Sequence, residues 1–269
     1  MQQQASALAG VHMFWHGPPL SRIERLCMSS FVAHGHPVHL HVYEEPKRVP
    51  AGVTLRDATA VLPREELFVH HSSGSLAVFA DWFRYRLLAE HGGLWVDTDV
   101  VCLRPFEHAG PEIFGWQDQS TINNAVLGLP QNHALARWML ACCEQPNRFL
   151  PYDSFRTRRR KLQRRLLGRG RAESQWGETG PAGFTAAATH LSCASRALPF
   201  WHFYPIHYQN WHTVFDASLH ERFGIVDGSY GLHLWNEMSR HKPGFDRNGR
   251  FPEGSLFERL WARYVTSGS

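Results

Sequence analysis

The stretch "EHGGLWVDTDVVCLRP", residues 90–105, places two acids inside what otherwise reads as a buried strand. The apolar run Leu94-Trp95-Val96 leads into Asp97, a second carboxylate follows at Asp99, and Val100-Val101-Cys102-Leu103 resume the apolar pattern. On an extended strand, residues two apart share one side and lie about 7 Å from each other. Two carboxylates at that distance repel by about 2–3 kcal/mol at an effective dielectric of 20. A strand end in solvent, with one acid capping a turn, is the bland reading, and the apolar flanks on both sides disfavour it. The stronger reading is a divalent cation with oxygen ligands, Mg²⁺ or Mn²⁺, which takes few protein ligands and fills the rest with water and phosphate oxygens. The C-terminal end of a strand in an open α/β sheet is also where ligands bind.

Immediately upstream, the spacing predicts a helix over 76–91, with Ser75 as N-cap and Gly92-Gly93 as its stop. Asp81 and Arg84 are three apart and therefore neighbours on its surface. At about 100° per residue, Ala77, Val78, Tyr85 and Leu88 surround that pair, while Phe79, Phe83 and Leu87 take the opposite side. Such a helix is apolar nearly all round and belongs in a core. Exposed, the pair contributes about a few tenths of a kcal/mol. Buried, it needs further partners, and a sugar hydroxyl for Asp81 with a diphosphate for Arg84 would supply them.

Further out, the chain reads as alternating strands and helices. "VHMFWHG" is short and apolar, "LSRIERLCMSSFVAHGH" has helical spacing, and "VHLHVYE" alternates like a strand. A β-α-β opening of this kind predicts a parallel sheet. A short strand is expected in "TLRDATAVLP", and two more in "EIFGWQ" and "NNAVLGL". A helix is expected from near Asn132, another after Pro181 at a first-turn position, and a late strand in "GLHLWNEM".

The totals bound the class. With 269 residues, 43% hydrophobic and 19% charged, the chain is globular rather than disordered. No apolar run approaches the roughly 20 residues that span a bilayer. The start, "MQQQASALAGVHMFW", lacks the basic head and long apolar middle of a signal peptide. Five cysteines, two of them adjacent at Cys142-Cys143, fit no zinc or redox spacing and suit reduced thiols in a cytoplasm. The net charge of +4 is local. Residues 156–171 hold nine of the 28 basic residues and no acid, so the remaining 19 face 24 acids, a balance of −5. A segment of about 152–172 is thus read as a basic, helical insertion in a single domain spanning 1–269.

The stretch "FADWFRYRLLAEHGGLWVDTDVVCLRP", residues 79–105, resembles the DxD sugar-binding region of a retaining glycosyltransferase family. That family includes yeast initiating mannosyltransferases, α1,4-galactosyl- and α1,4-N-acetylglucosaminyltransferases and bacterial capsule enzymes. The large clostridial glucosylating toxins are more distant relatives. The similarity is dense over 76–105 and continues thinly through "NNAVLG", "ETGPAGFT", "FYPIHY" and "GLHLWNEM". It implies a GT-A type α/β fold, with a Rossmann-like, mostly parallel sheet flanked by helices, and a UDP- or GDP-sugar donor.

Residue by residue, the resemblance implies that Asp81 binds donor sugar hydroxyls and Arg84 the diphosphate or sugar. Asp97 contacts ribose, sugar or metal-bound water, and Asp99 ligates the metal. His233 is the third metal ligand or a phosphate donor, Trp235 covers the site and Asn236 holds a phosphate. Asn123 and Asn124 present an amide to the sugar. Phe14, Trp15 and His16, ending the first strand, face the nucleotide base, and Trp95 lies beside the acids as donor contact or core. Asp118, Glu178 and Thr179 are acceptor-side candidates, although loop acids are commonly just solvated. The basic segment has three readings: a solvated helix face, a dock for anionic lipid that brings a lipid-linked acceptor, or a nucleic-acid contact. The last is disfavoured by the acidic remainder. The expected protein is a cytoplasmic retaining hexosyltransferase, peripheral at the inner face of the membrane, building bacterial capsule or lipopolysaccharide glycans. A phosphate-ester hydrolase, a toxin-like transferase acting on a protein and a non-catalytic sugar-nucleotide module are the alternatives.

Overall fold

A computed structural model describes residues 8–107, 110–217, 224 and 226–265. The start of the chain, on which the signal-peptide reading partly falls, lies outside the described residues. The strands are β1 Val11–Trp15, β2 Val38–Val42, β3 Val53–Asp57, β4 Gly93–Val96, β5 Val100–Cys102, β6 Ile113–Trp116, β7 Ile122–Leu129 and β8 Gly231–His233. The helices are α1 Arg22–Ala33, α2 Ala77–His91, α3 Ala134–Glu144, α4 Phe155–Leu166, α5 Pro181–His190, α6 Asn236–Arg240 and α7 Leu256–Tyr264, with short 3₁₀ turns between them. The expected mixed α/β architecture is present: six strands form one mostly parallel sheet, and β5 and β8 form a separate two-stranded ribbon. Among the described residues no helix is long and apolar enough to cross a membrane. All five cysteines are free and buried.

The chain divides into two compact units, one of residues 1–57, 94–110 and 199–269, the other of 58–93 and 111–198. In the first, β3, β2, β1 and β4 pair in parallel, with Val11 opposite both Val38 and Leu94. The predicted β-α-β opening is therefore found. Ser21 caps α1, and Glu24 returns a bond to the Ser21 backbone N–H at 2.8 Å, closing a capping box. Ile23, Leu26, Cys27 and Phe31 of α1 are fully buried, each such side chain stabilising by roughly 1.5–3 kcal/mol relative to exposure.

The second unit is built on α2, whose predicted burial holds: Phe79, Phe83, Tyr85 and Leu88 have no exposed surface. The helix begins one residue later than the spacing predicts. Leu76 occupies the N-cap position without a side-chain bond, while Ser75 Oγ accepts from the Ala77 N–H at 3.2 Å. Its stop is as expected. Gly92 has φ +67°, and a Cβ there would meet the Gln131 backbone nitrogen at 2.4 Å, so only glycine lets the chain leave α2 at this point. The helix α3 starts at Ala134 rather than Asn132, because Asn132 takes φ +62° and His133 caps. β6 and β7 pair antiparallel, and every residue of β7 is buried.

Candidate active site

The two acids do not sit on a strand. β4 ends at Val96, and the Val100 N–H bonds back to the Asp97 carbonyl at 3.2 Å, making a tight turn of 97–100. The turn turns both carboxylates toward the late strand. Antiparallel pairing of β5 with β8 sets Val100 opposite His233, one residue from Asp99. Ligand atoms of Asp97, Asp99 and His233 then lie within 4.8 Å of one another. That is closer than the strand spacing expected from sequence, and it raises the carboxylate repulsion to at least about 3.5 kcal/mol at a dielectric of 20.

Donors offset part of that cost. Trp95 Nε1 donates to Asp97 Oδ1 at 2.7 Å. His233 Nε2 stands 3.3 Å from Asp99 Oδ1, and the Asn236 N–H donates to Asp99 Oδ2 at 2.8 Å. Burial pushes the Asp99 carboxyl up, but His233, the Asn236 N–H and the Arg247 guanidinium together hold it below the usual carboxylate range. Two carboxylates and an imidazole suit a hard-to-intermediate divalent cation. Among the described residues, His233 Nδ1 and Asn236 Oδ1 are buried without a hydrogen-bond partner, so the residues that hold Asp99 keep unused ligand atoms.

Trp235 corrects another expectation. The late strand stops at His233, and Trp235 is not on it. Its backbone is left-handed, φ +56° and ψ +51°, and Asn236 starts α6. A left-handed non-glycine residue costs about 1–2 kcal/mol. Here it folds the chain so that a side chain and a backbone N–H three residues apart grip the two oxygens of one carboxylate. The Trp235 indole N–H bonds the Ile206 carbonyl at 2.8 Å, and its ring lies 4.1 Å from that of His233. Tyr204 packs against both, at 5.8 and 5.9 Å. Asn236 Nδ2 donates to Glu24 Oε1 at 3.1 Å, and Arg247 Nη2 bonds the same oxygen. Sequence reading missed Glu24, Arg247 and Tyr204. Nothing local in the sequence announced these long-range partners.

Phe14, Trp15 and His16 stand at the C-terminal end of β1, the same edge on which β4 delivers Asp97. Phe14 is buried edge-on to Tyr43 at 5.9 Å, and His16 meets the same ring at 6.2 Å. Trp15 is half-buried, its indole N–H fixed by the Pro18 carbonyl at 2.9 Å. Trp95 has 1% of its surface exposed, so it acts through Asp97 rather than as a surface.

The second unit holds its own buried polar group. Asp81 Oδ1 accepts from Asn124 Nδ2 at 2.9 Å and stands 3.6 Å from Arg84 Nη2, while Asp81 Oδ2 accepts from Thr179 Oγ1 at 3.0 Å. Tyr85 donates to the Thr179 carbonyl at 2.8 Å and accepts from Asn124 Nδ2 at 2.8 Å. Burial above all, and then the neighbouring Asp81, pushes the Tyr85 phenol well up, so it stays neutral. The Arg84 fork, expected to reach outward, bonds the Asn124 carbonyl. Asn123 is spent on Gln117 and the Ala125 N–H, both at 2.7 Å.

The acceptor-side candidates separate. Asp118 caps its own turn, with bonds from the Ser120 and Thr121 N–H groups at 2.8 and 2.9 Å. Glu178, expected on the acceptor side, is bound through both oxygens by Arg164 of α4, at 3.1 and 2.8 Å. Glu178 and Thr179 do line a cleft of about 200 Å³, together with Phe68, Trp82, Trp176 and Arg171. The Arg171 guanidinium lies 3.9 Å over the Trp82 ring.

Residues 63–119 match the glycosyltransferase sugar-binding region containing the DXD motif, and residues 172–264 the alpha 1,4-glycosyltransferase conserved region. The resemblance to the DXD glycosyltransferases holds. Lactosylceramide 4-alpha-galactosyltransferase of Rattus norvegicus is 28% identical over 203 residues, which cover 70% of this chain and 48% of that one. Alpha-1,4-N-acetylglucosaminyltransferase of Homo sapiens is 24% identical over 205 residues, covering 70% and 50%. The chain thus spans about half the length of these relatives. Among solved structures, a PaToxG glycosyltransferase superposes loosely, with a TM-score of 0.45 at 12% identity over 68% of each chain.

Proposed function

We propose that the protein is a retaining, GT-A type glycosyltransferase that uses Mn²⁺ or Mg²⁺ and moves a sugar from a nucleotide-sugar to a hydroxyl of a glycan acceptor. The convergence of Asp97, Asp99 and His233 within 4.8 Å carries this reading. Asp97, Asp99 and His233 would hold a cation there, and it would supply Lewis-acid stabilisation to a departing nucleoside diphosphate, a contribution on the order of several kcal/mol. The chain's own part is positioning. Trp95 fixes Asp97, while His233 and the Asn236 N–H fix Asp99, so both carboxylates are oriented before any ligand arrives. Trp15 offers a half-buried ring for a base at the edge of the parallel strands. Asp81, held by Asn124, Thr179 and Arg84, is a ready acceptor for sugar hydroxyls, each of which exchanges for one of those donors.

The names of the relatives describe α-1,4 transfer of galactose and N-acetylglucosamine, which favours such a transfer here, with a UDP-sugar ahead of a GDP-sugar. The aromatic and polar cleft lined by Trp82, Trp176, Glu178 and Thr179 suits one sugar ring of the acceptor, since a cavity of about 150 Å³ already holds a ring the size of benzene. A lipid-linked glycan of a bacterial surface polysaccharide, met in the cytoplasm at the inner membrane face, is the acceptor most in keeping with the resemblance to capsule enzymes. The test is release of nucleoside diphosphate from a panel of UDP- and GDP-sugars, with and without Mn²⁺, by wild type and Asp99→Asn. Cleavage of one donor, dependent on metal and lost in the variant, is expected. Failure to cleave or to bind any donor in calorimetry would sink the proposal.

A further inference from the structure

The basic run 156–171 does not form the single positive patch that its composition suggests. Three of its cations turn inward. Lys161 and Arg164 of α4 are buried, and Lys161 Nζ pairs with Asp153 at 2.8 Å, Arg164 with Glu178 at 2.8 Å. Arg171 stacks on Trp82 and donates to the Cys143 carbonyl at 2.8 Å. Arg156, Arg158, Arg159 and Arg165 are exposed, and among the described residues none of them has a carboxylate partner.

The apolar residues of α4 are inverted relative to an ordinary surface helix. Phe155 is 85% exposed, Leu166 77% and Leu162 46%. At about 100° per residue these three fall within roughly 20° of one line along the helix, opposite buried Arg164. Arg159 and Arg156 flank the line on one side, Arg158 and Arg165 on the other. A helix normally buries its apolar stripe and leaves its cations to water. This one buries two paired cations and shows the stripe to solvent. Such a stripe marks an interaction surface.

We infer that the outer face of α4 is a docking surface for an anionic lipid bilayer, with Phe155, Leu162 and Leu166 entering the headgroup boundary and the four arginines holding acidic headgroups. The pattern chooses among partners. A nucleic acid has no use for an apolar line between the cations. A second copy of the chain would bury the line but bring eight unpaired arginines together. An anionic bilayer satisfies both. The inference deepens the transferase reading by naming where a lipid-linked acceptor is met, yet it does not depend on it.

The test is flotation of the full chain with vesicles of phosphatidylcholine alone and of phosphatidylcholine mixed with phosphatidylserine. Wild type floats with the mixed vesicles only. Arg158→Ser/Arg159→Ser/Arg165→Ser weakens binding about a hundredfold, and Phe155→Ser/Leu162→Ser/Leu166→Ser weakens it on the same vesicles as well. All six side chains are exposed, so both variants keep the wild-type circular dichroism and Tm. Wild type that stays unbound, equal flotation of wild type and either variant, or a solution dimer abolished by the apolar variant would each overturn the inference. Donor cleavage is measured separately in solution, so its failure bears on the transferase proposal and leaves the flotation result standing.

Discussion

Trp95→Phe isolates the contribution of one hydrogen bond to the candidate metal centre. Trp95 is 1% exposed and donates its indole N–H to Asp97 Oδ1 at 2.7 Å. Phenylalanine keeps most of the ring volume and removes the donor. A bond to a charged group contributes about 1.5–3 kcal/mol, so Asp97, no longer held, would bind a cation roughly 10–100-fold more weakly, the range seen when an outer partner of a metal ligand is lost. The smaller ring also leaves a void and lowers stability by about 1–2 kcal/mol, which urea unfolding measures on its own. The assay is Mn²⁺ titration by calorimetry or electron paramagnetic resonance, with Asp99→Asn as the positive control for loss. Trp95→Phe is expected to weaken Mn²⁺ binding and to raise the Mn²⁺ concentration that half-saturates donor cleavage, while kcat at saturating metal falls less. If Asp99→Asn abolishes Mn²⁺ binding but Trp95→Phe leaves the affinity within twofold of wild type, Asp97 is not a ligand positioned by Trp95, and the arrangement derived above is wrong.

Three other expectations concern the frame. Gly92→Ala places a Cβ 2.4 Å from the Gln131 nitrogen at φ +67°; it should cost more than about 2 kcal/mol in urea unfolding, and a change under half that would mean the α2–β4 junction is not so tight. Arg164→Met strands the Glu178 carboxylate in a wall of the cleft and should cost about 3 kcal/mol, with part regained in Arg164→Met/Glu178→Gln; an additive double variant would deny the coupling. Burial pushes the Glu258 carboxyl up, but the Arg22 guanidinium at 2.7 and 2.8 Å and the Phe251 N–H at 2.9 Å hold it below the usual range. Its folded pKa is depressed, so its stabilisation is present above the unfolded value of about 4.3 and fades as pH falls through the folded one. Glu258→Gln should therefore flatten the acid limb of Tm against pH, and parallel curves for the two proteins would contradict this.

What the sequence made legible was periodic or local. The β-α-β opening, the buried α2 and its glycine stop follow from spacing and backbone freedom, and they appear as expected. That the acids of the DxD pair come together was legible too, but their geometry was not. The strand reading set Asp97 and Asp99 on one pleat because apolar residues flank them on both sides. Those flanks belong to two different strands, β4 in the main sheet and β5 in the ribbon, and the acids occupy the turn that changes sheets. Period-2 counting cannot see such a change, since the apolar pattern continues through it. The same limit hid the left-handed Trp235, whose conformation is set by Asp99 and Ile206, residues 136 and 29 positions away in sequence. It also hid the split in the basic run, because composition counts charges and only packing tells a paired cation from a free one. Errors of this kind fall where the chain departs from its periodic elements. The backbone strain at Trp235 is one such departure. It persists because a charged Asp99 accepts from the two groups the bend brings to it, the His233 ring and the Asn236 N–H, and replacing that aspartate with alanine removes the reason for the turn as well as the ligand.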